Sequence, residues 1–237
     1  MPAHLLAESG PGMLDMRGTI VVPTRQSSWR LSAALPLAAD VRCAALLGPE
    51  IVTAPVLLDS KHAASATDIQ GLLAWCAVLT AVKSGELTAF LGAREGRTIN
   101  TAWALQVARN LQKLRKELSD GGFTIADVAN RGAGIDEADR WVAMAELERR
   151  YVEQLGTWRL RDTLSIRIEC ARRGEMAPDV QRVVLAALPD PPGLLTTRLG
   201  QWAATGGTVE VLIAAPAAEA AHCPSLVVRR PGGSGRA

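Results

Sequence analysis

The residues with the clearest chemical potential sit where a short β-branched run ends. Thr19-Ile-Val-Val-Pro-Thr-Arg-Gln26 passes directly into the amphipathic segment 27–35, a pattern that reads as strand, turn and helix. A helix N-terminus carrying a hydroxyl and a cation at the carboxyl end of a strand is an anion site, because its unpaired amides and the helix dipole both favour negative charge. Thr24 is the expected N-cap, and Arg25, Gln26 and Arg30 lie in or near the first turns. Trp29 stands beside them as a surface on which a base could stack. The ligand class to expect is a nucleotide or a nucleic-acid backbone. The plainer alternative is that Thr24 satisfies helix amides and the arginines are solvated surface.

No second chemistry assembles from the remaining residues. His4, His62 and His222 stand in separate unpatterned segments without acids or cysteines at ligand spacing, so neither a zinc site nor a Ser–His–Asp triad is expected. Cys43, Cys76, Cys170 and Cys223 are far apart and never form C-x-x-C, which reads as buried reduced thiols. Asp59-Ser-Lys61 has the D-x-K shape of a nuclease, but Pro178-Asp179 and Pro189-Asp190 follow it in the wrong order. A phosphate-binding loop requires a Gly-Lys pair, and none of Lys61, Lys83, Lys113 and Lys116 follows a glycine. Asp190, in Leu188-Pro-Asp-Pro-Pro, reads as a turn residue rather than a magnesium ligand. The expectation is therefore no catalytic residue, no metal ligand and no cofactor.

Composition limits the partner classes. At 237 residues and 48% hydrophobic the chain can bury a full core, and its net charge of +2 lacks the polyelectrolyte signal of a dedicated duplex-binding protein. Any nucleic-acid contact must be local. The basic residues are mostly arginine, and alanine is abundant, as in proteins of GC-rich bacterial genomes. No stretch is apolar enough for a membrane span or a secretory leader, so the chain reads as cytoplasmic with no membrane partner.

The elements that must hold the Pro-Thr turn follow from periodicity. Residues 19–22, 51–54, 182–188 and 208–214 are nearly continuous apolar runs, which predicts a parallel sheet of about four strands covered on both faces. Between the second and third runs the periods are helical. Ser65-Ala-Thr-Asp68 reads as a capping box for a helix with Ile69, Leu72, Leu73, Cys76 and Leu79 on its apolar face. Ile99, Trp103, Val107, Leu111, Leu114 and Leu118 predict a second helix ending at Gly121-Gly122, with Arg109, Lys113, Arg115 and Lys116 on its solvated face. A third opens at Asp136 and buries Trp141, Met144, Ala145, Tyr151, Val152 and Leu155 before Gly156, and a fourth runs from an Asp162 cap to Gly174. Trp75, Trp103, Trp141 and Trp202 fall on or beside apolar stripes and are expected in the core, while Trp29 and Trp158 are less constrained. The expected class is α/β, with 1–64 and 175–216 forming the core, 65–174 an inserted all-helical subdomain and 217–237 a disordered tail.

Residues Ile20-Val-Val-Pro-Thr-Arg-Gln-Ser-Ser-Trp-Arg-Leu31 resemble the strand-to-helix element that follows the ATP-binding loop of superfamily-1 helicases. Arg140-Trp-Val-Ala-Met-Ala-Glu-Leu-Glu-Arg-Arg-Tyr151, Val183-Val-Leu-Ala-Ala-Leu-Pro-Asp-Pro-Pro192 and Val209-Glu-Val-Leu-Ile213 are similar to the amino-terminal region of AddB-type proteins. Those are B subunits of bacterial helicase–nucleases in DNA repair, with a PD-(D/E)XK nuclease domain near the carboxyl end. The resemblance spans roughly residues 15–216. It implies a helicase-like fold lacking its ATP-binding loop that helps hold single-stranded DNA and packs against a helicase partner subunit. The chain then looks like the isolated amino-terminal portion of a longer protein. The expected function is weak binding of single-stranded DNA through Thr24, Arg25, Gln26, Trp29 and Arg30, or scaffolding, in double-strand-break repair. The alternatives are a small α/β enzyme or phosphate-ligand domain, with its site near Thr24, Pro55 and Pro189, and an inactive truncated remnant.

Overall fold

The computed structural model of the chain describes residues 13–15, 18–41, 45–59, 64–82, 90, 100–132 and 137–212. In chain order these form β1 (Met13–Asp15), β2 (Thr19–Val22), α1 (Arg25–Val41), β3 (Ala45–Leu47), β4 (Glu50–Thr53), α2 (Ala54–Leu58) and α3 (Asp68–Ala81). There follow α4 (Thr101–Asp120), α5 (Ile125–Asn130), α6 (Ala138–Thr157), α7 (Thr163–Arg173), β5 (Arg182–Ala186), α8 (Gly193–Ala204) and β6 (Thr208–Leu212). The protein is α/β and mostly helical. Its contacts divide it into two compact units, one from the described parts of 1–58, 174–191 and 199–237, the other from those of 59–173 and 192–198.

The first unit is built on a four-stranded parallel sheet of order β4-β2-β5-β6, while β1 and β3 pair separately, also in parallel. Thr19 lies opposite both Glu50 and Val183, and Val183 lies opposite Val209, so β2 and β5 are the inner strands. Their β-branched residues suit that place: Ile20, Val21, Val22, Val183 and Val184 are all buried. Each such side chain stabilises the fold by roughly 1.5–3 kcal/mol relative to exposure. Helix α1 lays Leu31, Leu35 and Ala39 inward, with Leu31 meeting the cluster of Ile20, Val22 and Val184. The Ser28 hydroxyl donates to the Ile51 carbonyl at 3.1 Å, fixing α1 against β4. The helix is longer than the expected 27–35 segment and continues past Pro36, which is exposed. The second and third expected strand runs stop earlier, at Thr53 and Ala186, and residues 213–214 of the fourth lie outside the described residues.

Every element described between β4 and β5 is helical, and the second unit packs α3, α4 and α6 around Trp75, Leu79, Leu111, Met144, Leu147 and Leu155. Helix α3 is capped by Thr67 with Gln70 completing the box, not by Ser65, because Ser65 is drawn into a β-bridge with Arg161. Its buried stripe is Gly71, Ala74, Trp75, Val78 and Leu79, whereas Ile69 and Leu73, expected inside, are exposed. The reason is close approach: a Cβ on Gly71 would sit 3.1 Å from both Gln112 Nε2 and Tyr151 Oη. On α4 the buried residues are Ala104, Ala108, Leu111, Arg115 and Ser119, so Arg115 leaves the expected solvated face. On α6 Val152 is exposed and Glu148 buried, and the helix runs through Gly156. Residues 99 and 136, the expected starts of α4 and α6, lie outside the described residues. Asp162 caps α7 as expected, accepting from the Ser165 amide at 2.7 Å.

Candidate nucleic-acid interface

In the strand order β4-β2-β5-β6 the chain first crosses from β2 to β4 and later returns to β5 on the other side of β2. The connections therefore diverge at the carboxyl ends of β2 and β5, the place where open parallel sheets leave a crevice for ligands. Pro23 and Thr24 follow β2 there. The Ser27 amide donates to Thr24 Oγ1 at 3.0 Å and the Ser28 amide to the Thr24 carbonyl at 3.1 Å, which makes Thr24 the N-cap of α1. Its hydroxyl also lies 2.9 Å from Ser27 Oγ. Thr24 thus spends its oxygen on the helix, and an incoming anion would meet the exposed side chains around it.

Arg25, Gln26, Trp29 and Arg30 share the side of α1 opposite Leu31, Leu35 and Ala39, and all four are exposed. Trp29 is 74% exposed. Neither Arg25 nor Arg30 meets a carboxylate among the described residues. Across the switch point, Ala187 adopts a left-handed backbone with φ 52° while its amide donates to the Leu212 carbonyl at 2.9 Å. Pro189 and Asp190 beyond it are exposed, and Pro55 lies in the first turn of α2, directly after β4. Thr24, Pro55 and Pro189 therefore all follow carboxyl ends of neighbouring strands.

Of the remaining tryptophans, Trp75 is fully buried, Trp103 and Trp141 are partly buried against the same core, and Trp158 is half exposed. Cys76 and Cys170 are free thiols, and burial pushes the Cys76 thiol up against the opposing charge of Arg109. Asp59 is exposed, and Ser60, Lys61, all three histidines, Cys43 and Cys223 lie outside the described residues. Among the described residues no group of His, Cys, Asp and Glu is placed to hold a metal ion, and no helix is long and apolar enough to cross a membrane.

The sequence pattern gave no sign of a buried charge network in the helical unit. Arg115 Nη1 and Nη2 donate to the two oxygens of Asp162 at 3.0 and 2.9 Å, and its Nε donates to Glu148 at 2.6 Å. Tyr151 donates to Asp162 at 2.8 Å and stacks on Trp75 with ring centroids 4.4 Å apart. The Arg115 guanidinium lies 4.8 Å from the Tyr151 ring centroid. Burial alone would raise the Asp162 pKa, but Arg115 and the Ser165 amide and hydroxyl hold it at about 2. Burial, reinforced by Asp162, pushes the Tyr151 phenol up despite Arg115. Every oxygen of Asp162 is occupied by donors, so it has no lone pair to offer as a base. The network ties α4, α6 and the start of α7 together.

No family model, curated protein or solved structure matches the chain.

Proposed function

We propose that the chain is a non-catalytic, helicase-like α/β domain that holds single-stranded DNA weakly at the amino end of α1, in the setting of bacterial double-strand-break repair. The observation that carries this reading is Trp29, 74% exposed and flanked by Arg25 and Arg30, which meet no carboxylate among the described residues. An indole in water forgoes the burial that Trp75 obtains, and a bare aromatic face beside two guanidinium groups suits a stacked base and its phosphates. The four-stranded parallel sheet, with its helical block between β4 and β5, is the α/β arrangement that this reading requires. Scaffolding of a helicase partner subunit belongs to the same proposal.

Fluorescence anisotropy with a labelled single-stranded oligonucleotide, against duplex of equal length, tests it. Salt-sensitive preference for the single strand is the expected result. Absence of binding by a folded sample, or binding insensitive to salt, overturns the DNA role.

A second reading is favoured by Ala187. A non-glycine residue in the left-handed region at a topological switch point is strained backbone of the kind that accompanies ligand sites. The ligand there would be a nucleotide or another phosphate ester lying near Thr24, Pro55 and Pro189. A rise in melting temperature with ATP, absent with an unphosphorylated nucleoside, distinguishes this reading from DNA binding alone.

A further inference from the structure

Helix α3 is apolar at most positions, with Asp68 at its first residue as its one acidic side chain and Gln70 and Thr80 as its other polar ones. A helix this rich in apolar residues is expected to bury more than one stripe. Its inner face is covered, but Ile69 is 71% exposed and Leu73 is 55% exposed. With half-buried Cys76 and exposed Thr80 they occupy steps of four, three and four residues, one continuous ridge on the outside of the helix.

The neighbouring helix gives this ridge a charged border on one side. Gln112 of α4 donates to the Asp68 carbonyl at 3.2 Å, and the charge of Arg109 reaches the Cys76 thiol. Arg109, Lys113 and Lys116 share the Gln112 side of α4 and are exposed, while Arg115 points into the core. Lys113 has only a loose contact with Glu117, at 3.9 Å between two exposed groups. The exposed aliphatic pair Ile69 and Leu73 therefore lies on the helix that α4 flanks, and α4 carries exposed Arg109, Lys113 and Lys116 on its Gln112 side.

We infer that the outer face of α3 is a docking surface for an amphipathic helix of a partner protein, one with an apolar ridge and carboxylates along a single edge. The aliphatic side chains of Ile69 and Leu73 suit helix-in-groove packing, and the one-sided row of cations selects both the charge of the incoming helix and its direction. Nucleic acid is disfavoured here, because this ridge presents no aromatic face. The surface is distinct from the Trp29 site and does not depend on DNA binding.

The test uses the whole chain and two labelled amphipathic helical peptides, alike except that one edge carries glutamates in the first and lysines in the second. Anisotropy is expected to show the glutamate-edged peptide binding at least about tenfold more tightly. Leu73→Glu should abolish binding, and far-UV circular dichroism should show the fold intact because Leu73 is exposed. Arg109→Glu combined with Lys113→Glu, both at exposed positions, should reverse the preference toward the lysine-edged peptide. Equal affinity for the two peptides, or no binding of either, overturns the proposal. So does a dimer of the chain that Leu73→Glu dissolves, or Leu73-dependent uptake by phosphatidylserine vesicles, since each assigns the face to a different occupant.

Discussion

Arg115 and Asp162, 47 residues apart in sequence, are joined by parallel hydrogen bonds of 3.0 and 2.9 Å, with both side chains buried. The pair ties α4 to the start of α7, and Glu148 and Tyr151 add α6 to the same knot. Asp162→Asn keeps the shape and removes the charge, leaving a guanidinium whose other partner is Glu148. Breaking one side of a buried pair costs about 3–5 kcal/mol. Urea unfolding should register that loss, and replacing Arg115, Glu148 and Asp162 together by apolar residues of similar volume should cost less than Asp162→Asn alone. A single substitution as mild as an exposed one would show that the pair does not hold the unit together.

The same carboxylate sets an acid limit. Its folded pKa of about 2 lies below the ordinary aspartate value, so the native state binds fewer protons than the unfolded chain at mildly acidic pH. The stabilisation is complete above the unfolded value and is lost as pH falls from about 4 toward 2, amounting to about 2 kcal/mol. Glu146 is also held at about 2 by Arg149 and Arg150, but it is solvent-exposed and its contribution is screened. Urea midpoints measured across this range should fall for the parent protein and change less for Asp162→Asn.

Two glycines of the sheet-containing unit should respond in opposite directions to alanine. Gly174 has φ 66°, and a Cβ there would lie 2.5 Å from the Trp202 amide nitrogen and 2.7 Å from the Gln201 carbonyl carbon, both backbone atoms. Gly174→Ala should therefore destabilise by more than about 1 kcal/mol, since strain and collision act together. Gly200, inside α8, has nothing within 4 Å of a built Cβ. Gly200→Ala should stabilise by about 0.5–1 kcal/mol through helix propensity and a less flexible unfolded chain. Paired thermal melts decide both signs.

Strand β2 is legible because Thr19-Ile-Val-Val is β-branched throughout and ends in Pro-Thr, a combination that breaks a strand and caps a helix. The face of α3 is not legible. When nearly every position is apolar, periodicity cannot rank the stripes, and the inner one is selected by the small residues Gly71 and Ala74 that admit α4 and α6. Arg115 stands among Arg109, Lys113 and Lys116 and looks like one more surface cation, while its partners lie 33 and 47 residues away. Helix α8 follows Pro191-Pro and opens with Gly193, and paired threonines lower its propensity. Its first turn is instead secured by Leu195 and Thr196 amides on the Pro192 carbonyl and by threonine hydroxyls on the Gly193 carbonyl. The position of Thr24 at a helix start could be read from its neighbours, and Trp29 falls off the Leu31–Leu35 stripe; what either contacts in a complex is not a property of local pattern.

At the amino end of α1 the proposed contacts separate by chemistry. Trp29→Ala removes a stacking surface, and loss of base stacking weakens single-strand binding by about 1–3 kcal/mol while leaving its salt dependence unchanged. Arg25→Ala removes a phosphate contact, which lowers affinity for all sequences alike and makes the slope of log K against log salt shallower by about 0.7. Arg30→Ala should behave as Arg25→Ala does. Since all three side chains are exposed, the melting temperature should stay near that of the parent. Titrations of a labelled oligothymidine at several salt concentrations separate these effects. If Trp29→Ala changed the salt slope while Arg25→Ala left it alone, the proposed roles would be wrong even though binding itself survived.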